Sequence, residues 1–129
     1  MKILVVEDER ILSLNIKRYL ARFGHNICGT AENAEDAVDL AGRHRPELIL
    51  MDVRLKDGTD GIDAALRIRS FLDCPILFTT AFSDADSIRR IRAVERSDRL
   101  SKPYDLAGLA AAVGRIIETA DGRSGSPAG

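Results

Sequence analysis

The sequence has few cysteines, no excess of charge of either sign and no long hydrophobic run, and each absence argues against a class of protein. Cys28 and Cys74 have no second cysteine pair and no His nearby at metal-ligand spacing, so they are predicted to be reduced thiols. Lys and Arg number 19 against 20 Asp and Glu, which argues against direct binding to nucleic acid or to a membrane surface.

The first residues, MKILVVEDER, reach acidic side chains after a very short apolar run. This pattern is neither that of a signal peptide nor that of a membrane-spanning helix, so a cytoplasmic location is expected. A length of 129 residues with 45% hydrophobic content predicts one domain with one buried core.

Short apolar runs alternate with longer segments of helical period, and this alternation is typical of a parallel sheet with crossover helices. The third and fourth runs are the most apolar, which places the second and fifth strands at the edges. The last residues, 120–129, are rich in Gly and Ser and predict a disordered tail after a domain spanning 1–119. Predicted strands are 3–6, 26–30, 48–51, 76–79 and 99–101, and predicted helices are 10–23, 33–43, 61–71, 84–95 and 105–119.

Polar side chains follow four of the five predicted strands, at the sheet edge where ligands bind in open parallel sheets. Glu7 and Asp8 follow the first strand, and Asp52 follows the third. Thr80 follows the fourth strand, and Lys102 follows the fifth. Three carboxylates, a hydroxyl and an ammonium are therefore expected to meet at one edge.

A cluster of three carboxylates is costly without a cation, because like charges repel and raise one another's pKa. Oxygen ligands favour Mg²⁺ or Ca²⁺, and a site with few protein ligands and phosphate chemistry favours Mg²⁺. The pattern predicts that Glu7 and Asp8 hold the metal while Asp52 attacks a phosphoryl donor. Lys102 would then pair with one phosphoryl oxygen, and Thr80 would donate a hydrogen bond to another.

Four segments in the order VVEDE, LILMDVRLKDGTDGI, ILFTTAF and LSKPYD are similar to the receiver domains of two-component response regulators. The resemblance covers about residues 2–119. It implies an α/β fold with a doubly wound, five-stranded parallel sheet of flavodoxin-like order 2-1-3-4-5. It also implies a phosphoprotein of a two-component system or phosphorelay, with a histidine kinase or a histidine phosphotransferase as phosphoryl donor.

Carried over residue by residue, the resemblance makes Asp52 the phosphoacceptor and Asp8 a direct ligand of Mg²⁺. Glu7 stands where an Asp is more usual and would act through water. Arg54, two residues after the acceptor, would offer its backbone carbonyl to the metal and its side chain to a phosphoryl oxygen. Thr80 would be the switch hydroxyl.

Around the switch, the sequence both follows and departs from the family pattern. Lys102 matches the lysine of the family, and its peptide bond to Pro103 is commonly cis there. Arg99 occupies a position where most members have Tyr or Phe, which leaves Phe82 as the candidate for the missing aromatic. Tyr104 is predicted to pack at the start of the last helix, and with Phe82 and Arg99 it forms the expected switch or partner surface. The run FTTAF is similar to a subgroup of alphaproteobacterial receivers.

Three classes of function remain open. A stand-alone switch, itself no enzyme, would accept a phosphoryl group and act on an unidentified downstream protein. A phosphatase with an Asp nucleophile would be expected to carry a second Asp where this chain has Arg54. A receiver-like binding module that has lost phosphorylation would be expected to lack the acceptor, the lysine or the acidic pair, and all of these are present.

Overall fold

Five parallel strands form one sheet in the order β2-β1-β3-β4-β5, with helices between consecutive strands. The computed structural model describes residues 1–81 and 83–125. This is the predicted doubly wound topology, with the second and fifth strands at the edges. The elements are β1 (Lys2–Val6), α1 (Arg10–Ala21), β2 (Asn26–Ala31), α2 (Ala34–His44), β3 (Leu48–Asp52), α3 (Gly61–Arg69), β4 (Ile76–Ala81), α4 (Ala85–Arg92), β5 (Ser97–Lys102) and α5 (Leu106–Gly125).

The central strand β3 is buried along its whole length, and its side chains alternate between two apolar clusters. Ile49 and Met51 pack in the cluster that includes residues of α2, α3 and α4. Leu48 and Leu50 pack in the cluster that includes residues of α1 and α5. Successive side chains of a strand point to opposite faces, so helices on both faces require an almost continuous apolar run.

Cys74 belongs to the apolar cluster that includes residues of α2, α3 and α4, and Cys28 packs against that cluster. Cys74 is buried, Cys28 is partly buried, and both are free thiols in the part of the chain that the structure describes. Burial raises the pKa of the Cys74 thiol to about 11, which keeps it protonated and unreactive. The prediction of reduced thiols is confirmed.

Acidic and amide side chains cap three helices at the carboxyl edge of the sheet. Asn33 accepts a hydrogen bond from the backbone of α2, and Asp60 accepts one from the Ile62 amide of α3 at 2.7 Å. Asp84 caps α4 by accepting a hydrogen bond from the Ser87 amide. Each cap satisfies an amide that the first helical turn leaves unpaired, so it fixes where the helix begins.

Several element ends differ from the prediction. β4 extends through Thr80 to Ala81 because its pairing with β5 continues up to Lys102. α4 ends at Arg92, three residues early, and the chain then turns through a positive φ of 55° at Arg96.

The last helix also differs from the prediction. α5 continues to Gly125, beyond the predicted end at residue 119 and into the segment predicted as a disordered tail. Two glycines weaken this extension, but a proline, which would stop a helix, comes only at position 127. The rest of the predicted tail, residues 126–129, lies outside the described residues. No described helix has both the length and the apolar character needed to cross a bilayer.

Candidate functional site

The three predicted carboxylates meet at the carboxyl edge of the sheet. Glu7 and Asp8 directly follow β1, Asp52 is the last residue of β3, and these two strands are neighbours. One carboxylate oxygen from each of the three residues lies within 4.8 Å of the others. Glu7 and Asp52 are buried, with exposed fractions of 4% and 3%, whereas Asp8 is half-buried. Three oxygens at this separation can contact a single cation.

Glu7 is held in an environment that disfavours its charge. Burial raises the pKa of Glu7 from 4.5 to about 7, and the negative charge of Asp52 adds to the shift. The Glu9 amide opposes it by donating a hydrogen bond to Glu7 Oε2 at 3.0 Å. An ionised carboxylate in this place therefore lacks sufficient positive charge around it, as expected of a carboxylate cluster that binds a cation.

Lys102 reaches the Asp52 carboxylate from β5. Its Nζ atom donates to both Oδ1 and Oδ2 of Asp52, each at 2.9 Å. Burial raises the pKa of Asp52, while Lys102 and the backbone amide of Arg54 oppose that rise. The lysine thus favours the ionised form of Asp52 and fixes the orientation of its carboxylate.

Thr80 lies near the end of β4, and the preceding residue, Thr79, pairs in register with Asp52. The Thr80 side chain is 2% exposed, and its Oγ1 atom has no hydrogen-bond partner among the described residues. A buried hydroxyl without a partner costs free energy, and such a group often awaits a ligand. Thr80 therefore offers, near the carboxyl end of β4, a hydroxyl that no described residue binds.

The Arg54 side chain binds Asp84, the capping residue of α4. Its Nε and Nη2 atoms lie 2.9 Å and 3.2 Å from the two carboxylate oxygens of Asp84. The guanidinium holds the pKa of Asp84 well below its usual range. Nothing in the sequence pattern indicated this ion pair, which joins residues far apart in the chain.

A second arginine joins α4 to the start of α3. Arg90 lies 2.7 Å from Asp60 and 3.0 Å from Asp63. Asp60 also forms an isolated antiparallel bridge with Arg54 in the loop after β3. Three arginine–carboxylate contacts, made by two arginines, therefore connect α4 and its capping residue to the segment that follows Asp52.

The predicted switch surface is described only in part. Tyr104 is half-buried and packs against the apolar cluster of α1 and α5, and burial together with the charges of Glu7 and Asp52 raises its pKa to about 12. Arg99 is partly exposed on β5, opposite Phe78 of β4. Phe82, the predicted substitute for the missing aromatic, lies outside the described residues. The peptide bond before Pro103 is cis, as the resemblance implies.

Gly61 supports the site and was predicted only as the start of a helix. A Cβ atom at this position would lie 2.1 Å from the backbone oxygen of Asp52 and 2.9 Å from Met51 Cγ. The Gly61 amide donates to the Val53 carbonyl at 2.8 Å, so α3 begins directly against the end of β3. The sequence offers one sign of this close packing. Gly61 is the first residue of α3, directly after the capping Asp60, and glycine is unfavourable in a helix unless a larger side chain does not fit.

Known proteins resemble this chain in sequence and fold. Residues 3–114 match the family model of the response regulator receiver domain. The transcriptional regulatory protein PdtaR of Mycobacterium tuberculosis is 37% identical over 112 residues, which are 87% of this chain and 54% of PdtaR. PhyR, the phyllosphere-induced regulator of Methylorubrum extorquens, is 30% identical over 120 residues, 90% of this chain and 43% of PhyR. PhyR is of the alphaproteobacterial type that the FTTAF run indicates.

A solved two-component response regulator from Clostridium difficile superimposes with a TM-score of 0.81 at 29% identity, covering 92% of this chain and 96% of that one. The chain spans about half the length of the curated relatives PdtaR and PhyR. The family match over residues 3–114, the strand order and the carboxylate edge agree, and the chain belongs to the response regulator receiver domain family.

Proposed function

We propose that this chain is a signalling switch that accepts a phosphoryl group on Asp52 in the presence of Mg²⁺. The donor is a histidine kinase or a histidine phosphotransferase, and the phosphorylated form engages a downstream protein. The observation that carries the proposal is the setting of Asp52, which is buried, bound through both carboxylate oxygens by Lys102 and close to two further carboxylates.

The residues at this edge fit Mg²⁺. Glu7, Asp8 and Asp52 supply oxygen atoms only, and the raised pKa of Glu7 reflects a need for positive charge. Asp8 and Asp52 would hold the ion directly, Glu7 through water, and Arg54 through its backbone carbonyl. When bound, Mg²⁺ supplies positive charge to the oxygens of the transferring phosphoryl group.

Phosphoryl transfer then requires little movement of side chains. An Asp52 carboxylate oxygen attacks phosphorus, the bond from phosphorus to the donor imidazole nitrogen breaks, and the imidazole leaves with the bonding electron pair. Lys102, already at the Asp52 oxygens, turns to a phosphoryl oxygen. The Thr80 hydroxyl, which no described residue binds, donates a hydrogen bond to another phosphoryl oxygen.

The surface beside the site suits docking of a donor protein. Ile11 and Leu14 on α1 are 79% and 44% exposed, although large apolar side chains are usually covered. A surface pocket of about 530 Å³ is lined by Ile11 together with Asp8, Asn15 and Lys56, among others. A partner that covers Ile11 would bring its phosphorylated histidine close to the carboxylate cluster.

Incubation with acetyl phosphate and Mg²⁺, followed by intact mass measurement, tests the proposed function. The expected result is the gain of one phosphoryl group, and none when EDTA removes the metal. No gain of mass under either condition would contradict the proposal and favour a receiver-like module that binds its partner without phosphorylation.

The metal-free protein is expected to lose stability as the pH rises towards neutrality, because folding disfavours ionised Glu7. The Glu7 pKa rises from its ordinary value of 4.5 to about 7 in the folded protein. The loss of stability caused by ionised Glu7 is therefore absent below pH 4.5, grows as the pH rises towards about 7 and is complete above that pH. A shift of this size corresponds to at most about 3 kcal/mol.

Urea unfolding in EDTA, followed between about pH 5 and pH 8, measures this effect. Glu7→Gln removes the titrating group, so its free energy of unfolding is expected to change less with pH than that of the unsubstituted protein. Millimolar Mg²⁺ should restore stability above neutral pH in the unsubstituted protein but not in Asp8→Asn. Parallel pH profiles for Glu7→Gln and the unsubstituted chain would show that Glu7 is not the titrating group.

A further inference from the structure

Arg54 lies two residues after the acceptor Asp52, and its side chain reaches the capping residue of α4. Its backbone amide interacts with the Asp52 carboxylate, and its guanidinium binds both carboxylate oxygens of Asp84. The Arg54 side chain is 70% exposed, so the surrounding protein does not lock it in this position. The ion pair with Asp84 determines where the guanidinium lies.

Asp84 is the fixed member of the pair. Its side chain is 11% exposed, and its Oδ1 atom accepts a hydrogen bond from the Ser87 amide at 3.1 Å as the cap of α4. The carboxylates of Asp60 and Asp86 also favour the charged form of Arg54. Asp84 is the carboxylate that forms hydrogen bonds with the guanidinium, whereas Asp60 and Asp86 act on it only at longer range, and all three lie outside the Glu7, Asp8 and Asp52 cluster.

A phosphoryl group on Asp52 would offer Arg54 a second partner. Phosphate oxygens bind guanidinium groups in the same two-pronged manner as carboxylates and carry more negative charge. The donor brings such oxygens to the site before transfer, and the product keeps them there afterwards. Asp84 and the phosphoryl group would therefore compete for one arginine.

We propose that Asp84 is a positioning residue that holds the Arg54 guanidinium at α4 and so limits its contact with phosphoryl oxygens at Asp52. This inference rests on the proposed phosphorylation of Asp52. Loss of the Asp84 charge frees Arg54, which speeds transfer by attracting the anionic donor and slows hydrolysis by holding the product oxygens. The charge of Asp84 at the start of α4 thus sets the phosphorylation rate and the lifetime of the product.

Asp84→Asn is the informative variant, because Asn caps a helix as well as Asp does but cannot form the ion pair. With acetyl phosphate and Mg²⁺, it is expected to gain phosphoryl mass about two to five times faster than the unsubstituted chain and to lose it more slowly. Asp84→Glu restores the charge and should return both rates towards the original values. Asp86→Asn is the matched control, since Asp86 pairs with Arg89 on the same helix.

The same measurement in an Arg54→Gln background shows whether Asp84 acts through Arg54. Arg54→Gln keeps the backbone carbonyl, and Asp84→Asn is expected to have no further effect on either rate in that background. An undiminished effect there, or equal effects of Asp84→Asn and Asp86→Asn, would overturn the inference while leaving Asp52 phosphorylation intact. Failure of the unsubstituted chain to gain phosphoryl mass would instead contradict the proposed function itself. Thermal melts identify a variant that unfolds, in which case Asp84→Ser supplies an alternative cap without charge.

Discussion

Asp52→Asn is expected to abolish the gain of phosphoryl mass from acetyl phosphate and Mg²⁺. Asn has nearly the shape of Asp and still offers an oxygen to the Lys102 ammonium, so the fold should persist. It has no carboxylate to attack phosphorus, and no other carboxylate at this edge has both oxygens bound by a lysine in the described structure. Intact mass measurement over the time course of the unsubstituted chain provides the test.

Asp57→Asn is the matched control for this substitution. Asp57 is an exposed acid in the loop after β3, where its carboxylate accepts hydrogen bonds from Thr59. Its replacement removes a charge of the same sign five residues along the chain but leaves the buried cluster unchanged, so normal phosphorylation is expected. Phosphoryl mass on Asp52→Asn at the normal rate would show that another residue is the acceptor.

Gly61→Ala is expected to reduce the free energy of unfolding by about 3 kcal/mol. The added Cβ would lie 2.1 Å from the Asp52 backbone oxygen, and a backbone atom in the central strand cannot rotate away as a side chain can. Either α3 moves away from β3 or the end of β3 is displaced. Both changes shift the Asp52 carboxylate relative to Lys102, so phosphorylation should also slow.

Gly114→Ala provides the control for the introduction of a methyl group at a helical glycine. Gly114 lies in α5, and apart from its chain neighbours and the backbone of its own helix, a Cβ atom there would meet no described atom within 4 Å. Alanine is the better helix former, so this variant should gain about 0.5–1 kcal/mol. Urea unfolding of both variants gives the comparison, and a Gly61→Ala protein as stable as the original chain would refute the close packing of α3 on β3.

The parallel sheet, its edge strands and the meeting of the acidic residues were predictable, because they follow from patterns that repeat along the chain. Apolar runs mark the strands, and the fully apolar run that became β3 was correctly predicted to lie inside the sheet. In a parallel sheet all carboxyl ends lie at one edge, so Glu7, Asp8, Asp52 and Lys102 had to come close together once the strands were identified. The family resemblance added the strand order and the role of each residue.

Element ends were less predictable, because they depend on neighbours in space. Thr80 was expected just after β4 but lies within it, since pairing with β5 continues to the last residues of both strands. Thr80 is buried there, and its hydroxyl has no hydrogen-bond partner in the part of the chain that the structure describes. The role of Phe82 as the replacement aromatic remains a prediction, because that residue lies outside the described part of the chain.

The sequence by itself determined which faces of the strands are buried and which edge carries the chemistry, because apolar period and chain direction are local properties that burial then selects. Only the tertiary structure decided that Arg54 binds Asp84 and that Gly61 touches the Asp52 backbone. With 19 basic and 20 acidic residues, the sequence allows many ion pairs. Distances between loops that are far apart in the chain determine which of these ion pairs form and where a Cβ atom does not fit. Only the packed fold sets those distances.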